Sequence, residues 1–200
     1  MNNGIRAITV YCSSSKKVAP IYPATAKALG KGIAQHGWKL VYGGNYVGCM
    51  AALADGARAG GAKIIGITPQ LLVDKGIADH KCDELFVTND MRERKAMMER
   101  YGDAFVALPG GIGTLEEVFE ILVGRHLGFH SKPIVLLNVA GFYDPLLQML
   151  QHGLQQGFIR EGATKLMFVT ADVEAALNYL QHHGVTPPPP PAQTLNAQIE

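Results

Sequence analysis

Three cysteines in 200 residues, Cys12, Cys49 and Cys82, are too few and too far apart for a disulfide framework, and they lack the paired spacing of a zinc site. They read as reduced, mostly buried thiols. Charge of one sign is also lacking. Eighteen Lys and Arg against 17 Asp and Glu leave a formal net charge of +1, which removes the electrostatic reason to expect nucleic acid or an anionic membrane as a partner. No stretch nears the roughly 18 uninterrupted apolar residues of a membrane span, and the start, Met1-Asn2-Asn3-Gly4-Ile5-Arg6, carries no apolar signal core. A cytoplasmic enzyme or binding protein is expected. Two nucleotide signatures are missing as well: there is no G-x-G-x-x-G after the first apolar run and no G-x-x-x-x-G-K-[ST] anywhere. That argues against a dinucleotide dehydrogenase and a P-loop ATPase.

What is present is an alternation. Apolar runs at 5–11, 38–42, 63–68, 84–88, 103–108, 133–138 and 166–169 read as strands, and between them lie helical spacings such as Tyr22, Ala26, Leu29 and Ile33. Several runs are solidly apolar, as strands buried on both faces must be. The expectation is an α/β fold, Rossmann-like and doubly wound, with a mainly parallel sheet and helices on both faces. Residues 1–184 form one domain in this reading. Residues 69–82 read as a longer connection without a clear period, and residues 185–200, with five consecutive prolines at 187–191, as an extended or disordered tail.

In an open parallel sheet, ligands bind beyond the carboxyl ends of the strands, and three unusual segments fall at that edge. Tyr42-Gly43-Gly44-Asn45 follows the second run, Asn89-Asp90-Met91-Arg92-Glu93-Arg94-Lys95 follows the fourth, and Pro109-Gly110-Gly111-Ile112-Gly113-Thr114-Leu115-Glu116-Glu117 follows the fifth. The last is a glycine-rich turn opening a helix. Glycines there let several N–H groups converge, and the helix adds its positive dipole end, so an anion such as phosphate fits. The carboxylate of Glu117 is an odd neighbour for a pure phosphate cradle. It has a second explanation: Thr114-Leu115-Glu116-Glu117 matches a capping box, with Thr114 as the cap. Arg94 shares a helical stripe with Met91, Met98 and Tyr101, which either turns its guanidinium into the crevice or leaves it snorkelling to water, and Lys95 is one position round. His126 and His130 stand four apart, but a helix end is expected at Gly128 between them, so no metal site is read.

These motifs in this order resemble the LOG family of cytokinin riboside 5′-monophosphate phosphoribohydrolases, often labelled lysine decarboxylases. The resemblance is carried by Tyr42-Gly43-Gly44 with Gly48 and Met50, by Met91-x-x-Arg94-Lys95 and by the 109–117 turn. It extends from about Ala7 to about residue 180. It implies a Rossmann-like homodimer that hydrolyses the N-glycosidic bond of a nucleoside 5′-monophosphate, with Arg94 and Glu117 matching the family's catalytic pair. Gly43, Gly44, Lys95, Gly110, Gly111, Gly113 and Thr114 are then the residues expected to hold substrate and phosphate, with neither a metal nor an organic cofactor required. The chain departs from common members at Ser13, where many have glycine, and at Asn45, where many have a third glycine. The alternative from another class is a nucleotide-binding or carrier protein that uses the same cradle without turnover.

Overall fold

The computed structural model describes residues 4–183; the proline-rich tail at 185–200 lies outside the described residues. Seven strands form one parallel sheet: β1 (Ala7–Tyr11), β2 (Lys39–Tyr42), β3 (Ile64–Pro69), β4 (Glu84–Thr88), β5 (Ala104–Ala107), β6 (Ile134–Leu137) and β7 (Phe168–Thr170), in the order β4-β3-β2-β1-β5-β6-β7. Each of the seven apolar runs overlaps one of them, with β3 and β7 each ending one residue beyond its run. The fold class matches the expectation.

Among the described residues six α-helices connect the strands, α1 (Ile21–Gln35), α2 (Gly48–Ala59), α3 (Gln70–Asp74), α4 (Met91–Tyr101), α5 (Ile112–His126) and α6 (Asp144–Gln155), and α7 (Val173–His182) follows β7. α3 corrects the reading of 69–82 as a plain connection. It is five residues long and buries none of them, so it leaves no apolar period to detect.

Alternate residues of the central strands feed two cores. Ile8 and Val10 of β1 pack with Leu29 of α1, Leu53 of α2 and Leu177 of α7 on one face. Ala7 and Tyr11 pack with Met98 of α4 and with Val118 and Ile121 of α5 on the other. Burying side chains of this size stabilises by about 1.5–3 kcal/mol each. Both faces are therefore covered, which is why the strands read as continuous apolar runs.

Chain direction creates the functional edge. From β1 the chain steps outward through β2 and β3 to β4, then returns to place β5 on the other side of β1. The loops after β1 and β5 thus diverge at a topological switch point, where a crevice opens. Two polar anchors fix what borders it. Thr9 Oγ1 donates to Met98 O at 2.8 Å, holding α4 against β1. Tyr143 Oη donates to Leu108 O at 2.7 Å, holding the chain just before the 109–117 turn.

Candidate active site

α5 begins earlier than its sequence pattern indicated. Gly111 is the cap residue, Ile112 the first helical residue, and Leu115 N–H makes the first turn's bond to Gly111 O at 3.1 Å. Thr114 is consequently the third helical residue and no cap, which overturns the capping-box explanation of Glu117. No side chain among the described residues caps this helix, so the N–H groups of Ile112, Gly113 and Thr114 keep no helical acceptor and point out of the N-terminus. A Cβ placed on Gly111 or Gly113 would meet open space. The side-chain cap belongs instead to α4, where Asp90 Oδ1 accepts from the N–H groups of Arg92 and Glu93 at 2.8 Å each. Glu93 Oε2 reaches back to Asn89 N–H at 2.8 Å.

That cap sets the rotation of α4 and directs Arg94 inward. Arg94 is 6% exposed, so its guanidinium does not snorkel to water. Nη1 donates to Glu117 Oε1 at 2.8 Å, and Nε donates to Ile67 O at 3.1 Å. Its other terminal nitrogen lies against Gly43, where any Cβ would collide with it and with Met50. A side chain at position 43 would therefore have to displace the Arg94 guanidinium and the Met50 methyl. Gly44 is required for conformation: its φ of +65° lies in the left-handed region, and a Cβ there would press on the β3 backbone at 2.9 Å from Ile67 N.

Glu117 is 8% exposed and comes from the second turn of α5. Oε1 accepts from Arg94; Oε2 accepts no hydrogen bond from any described residue. Burial pushes its carboxyl above the ordinary range, and the Arg94 guanidinium only partly pulls it back. A carboxylate with an unfilled oxygen and a raised pKa is suited to accept a proton from water or to stabilise a positive centre beside it.

Arg94 and Glu117 line a crevice of about 400 Å³ together with Gly43, Gly111, Gly113 and Thr114. Not every expected residue joins them. Lys95, one position round α4, is held by Glu116 Oε1 at 2.6 Å and Glu120 Oε2 at 3.0 Å. Its ammonium is committed to α5 rather than to the crevice. Gly44 stands behind the lining. Gly110 borders an adjoining smaller hollow with Tyr22 and Phe142, and a Cβ on it would strike the Thr114 side chain.

The crevice also contains residues that were not expected as site residues. The loop after β1 supplies Ser13, Ser14 and Ser15; the far side supplies Asn45, Met50, Leu72 and Met91. The serine run was visible as three consecutive hydroxyls at a strand end. Leu72 sits on α3 and left no signal.

Residues 50–180 match a family model described as "Possible lysine decarboxylase". A cytokinin riboside 5′-monophosphate phosphoribohydrolase of Rhodococcoides fascians is 41% identical over 173 residues, covering 86% of this chain and 87% of that protein. Its namesake in Mycobacterium tuberculosis is 42% identical over 170 residues, covering 85% and 90%. Among solved structures, the molybdenum cofactor carrier protein of Chlamydomonas reinhardtii superposes with a TM-score of 0.66 at 28% identity, covering 88% of this chain and 95% of that one.

Proposed function

The chain belongs to the LOG family of cytokinin riboside 5′-monophosphate phosphoribohydrolases, and from that membership we propose that it hydrolyses a purine nucleoside 5′-monophosphate, of cytokinin type or AMP, to free base and ribose 5-phosphate. The observation that carries this reading is the buried Arg94–Glu117 pair beside an uncapped helix N-terminus in one crevice. In the proposed mechanism the 5′-phosphate sits on the amides of the 110–114 turn, with the serines after β1 opposite. Anchored there, the ribose lies against Glu117. The C1′–N bond breaks with its electron pair going to the base, and the ribosyl cation that forms is stabilised by the Glu117 carboxylate. Water adds at C1′ while Glu117 Oε2 takes its proton, and that proton passes on to the departed base, which leaves neutral free base and restores the carboxylate. Arg94 keeps Glu117 ionised and oriented.

The label lysine decarboxylase fits poorly. A pyridoxal phosphate enzyme of that type needs a lysine amine in the site, and no lysine is among the described residues lining the crevice. A carrier reading has support in the Chlamydomonas neighbour. The relatives near 40% identity and the unsatisfied Glu117 oxygen favour turnover.

The finer parts of the proposal are a homodimer in the cytoplasm, free of nucleic acid. A second apolar groove of about 410 Å³, with Val123, Leu127 and Phe158 exposed around it, supports a face covered by a second copy. Three free thiols support a reducing compartment, and the near-zero net charge supports a small-molecule substrate over nucleic acid.

Incubating the purified protein with AMP and with N6-isopentenyl-AMP, then separating the products by chromatography, tests the reaction. Free base and ribose 5-phosphate are expected from at least one. Binding of both nucleotides with no base released from either would install the carrier reading.

A further inference from the structure

The crevice has two ends, and the sheet order tells them apart. The glycine turn after β5 and the serines after β1 form one end. Gly43 and Asn45 after β2, Leu72 after β3 and Met91 after β4 lie successively further along the edge. With the phosphate at the first end and the ribose at Glu117, the base falls at the second. That end is walled by Met50, Leu72 and Met91. Among the described residues lining it, Asn45 is the one neutral polar side chain.

Asn45 is 4% exposed, and its placement is over-determined. Its backbone forms an antiparallel bridge to Ala78, with Tyr46 N–H donating to Ile77 O at 2.7 Å and Asp79 N–H donating to Gly44 O at 2.8 Å. Its side chain is oriented by Thr68, whose buried Oγ1 donates to Asn45 Oδ1 at 2.9 Å. The carboxamide nitrogen has no acceptor among the described residues, yet it is not sealed in the interior either, so it opens onto the crevice that the residue lines. A pre-oriented donor on the crevice wall with no protein acceptor can give its N–H to whatever occupies the crevice, and an acceptor on a ligand there takes the place of water.

We propose that Asn45 Nδ2 donates a hydrogen bond to a ring nitrogen of the purine base, making Asn45 the residue that selects and registers the base in this chain. An adenine edge, plain or N6-substituted, offers only ring nitrogens as acceptors. Thr68 is its positioning residue: it fixes which end of the carboxamide faces the base. The inference rests on the phosphoribohydrolase reading for the placement of the base.

The test uses AMP with 1-deaza-, 3-deaza- and 7-deaza-AMP against the wild type, Asn45→Ala, Asn45→Asp and Thr68→Val. Asn45→Asp retains the oxygen that Thr68 needs and replaces the donor by an acceptor. For AMP, Asn45→Ala is expected to raise KM about tenfold with kcat little changed, Asn45→Asp to raise it more, and Thr68→Val less, on the scale of one neutral hydrogen bond. One deaza analogue should be penalised in the wild type and not in Asn45→Ala. Taking the ratio of wild type to variant cancels the analogues' own leaving-group differences. Equal ratios for AMP and all three analogues would overturn the assignment. If the wild type turns over no nucleotide, the reaction reading fails separately. Calorimetric binding of the same four nucleotides then decides on Asn45 by the same pattern of ratios.

Discussion

Two arginine–carboxylate pairs, each with a buried carboxylate, contrast in how fully the protein satisfies the acid. Arg58 Nη2 reaches Asp79 Oδ2 at 2.8 Å, and Arg94 Nη1 reaches Glu117 Oε1 at the same distance. Asp79 also accepts from Tyr42 Oη at 2.8 Å and from Lys81 N–H at 3.0 Å. Burial works to raise its pKa, but these donors outweigh it and the carboxyl is held below its ordinary value. Glu117 has Arg94 alone, and there burial wins. The number of donors, not the presence of an arginine, separates a clamp from a reactive group. The Asp79 cluster ties the loop before β4 to the end of β2 and so supports the Gly43–Gly44 turn. The Glu117 pair leaves one oxygen without a donor among the described residues, and the proposed reaction puts water there.

The largest expected effect that would break this comparison is on the second pair. Arg94→Ala leaves a buried carboxylate without its counter-charge and is expected to cost about 3–5 kcal/mol at neutral pH. Without the arginine, the folded-state pKa of Glu117 rises further above its unfolded value. Stability is then retained below the unfolded pKa and lost as pH rises through the folded one. Thermal melts of Arg94→Ala across pH 5 to 8 should therefore show the deficit relative to wild type shrinking toward acid. A deficit independent of pH would mean that Glu117 is not the stranded charge.

Next in size is the chemistry. Glu117→Gln keeps the shape and an acceptor for Arg94 but removes the charge, and turnover of AMP should fall by roughly 10²-fold or more. Wild-type kcat in this variant would reduce Glu117 to a structural ligand of Arg94.

Asp79→Asn should do the reverse. It is expected to lower stability by about 1.5–3 kcal/mol, the scale of hydrogen bonds to a charged group, while leaving kcat on AMP near wild type. Because the folded pKa of Asp79 is depressed, its contribution is present above the unfolded value and disappears as pH falls through the folded one. A variant of normal stability and lost turnover would place Asp79 in the chemistry and erase the contrast.

The smallest effect is a shift in a pH profile. With Glu117 raised by burial, the acid limb of kcat/KM should lie above the ordinary carboxylate range, and it should vanish in Glu117→Gln. An acid limb unchanged in that variant would assign it to another group.

The strands were legible because a parallel sheet covered on both faces demands runs such as Ala104-Phe105-Val106-Ala107, buried throughout. Strand ends differed from the apolar runs by at most two residues, the usual uncertainty of a boundary. Thr114 was misread as a cap because a four-residue pattern is local, whereas the start of α5 is set by where β5 ends and Gly111 turns extended. Arg94 and Lys95 illustrate the limit of periodicity. A helix turns about 100° per residue, so adjacent cations face different neighbours, and what those neighbours are depends on α5, more than twenty residues away. One met Glu117 in the interior; the other met Glu116 and Glu120 at the surface.

From the sequence alone came the alternating architecture, the edge of the sheet that bears the crevice, the glycine turn that opens α5, and the family, because each is written in residues close together along the chain. Tertiary structure alone decided that Arg94 joins Glu117, that Lys95 is withdrawn, that Glu117 keeps an unfilled oxygen and that the Asn45 amide is left open. The physical reason is that hydrogen-bond partners and desolvation come from elements distant in sequence, brought together only when α4 and α5 pack side by side on one face of the sheet and the loop at 77–79 closes over the β2 turn.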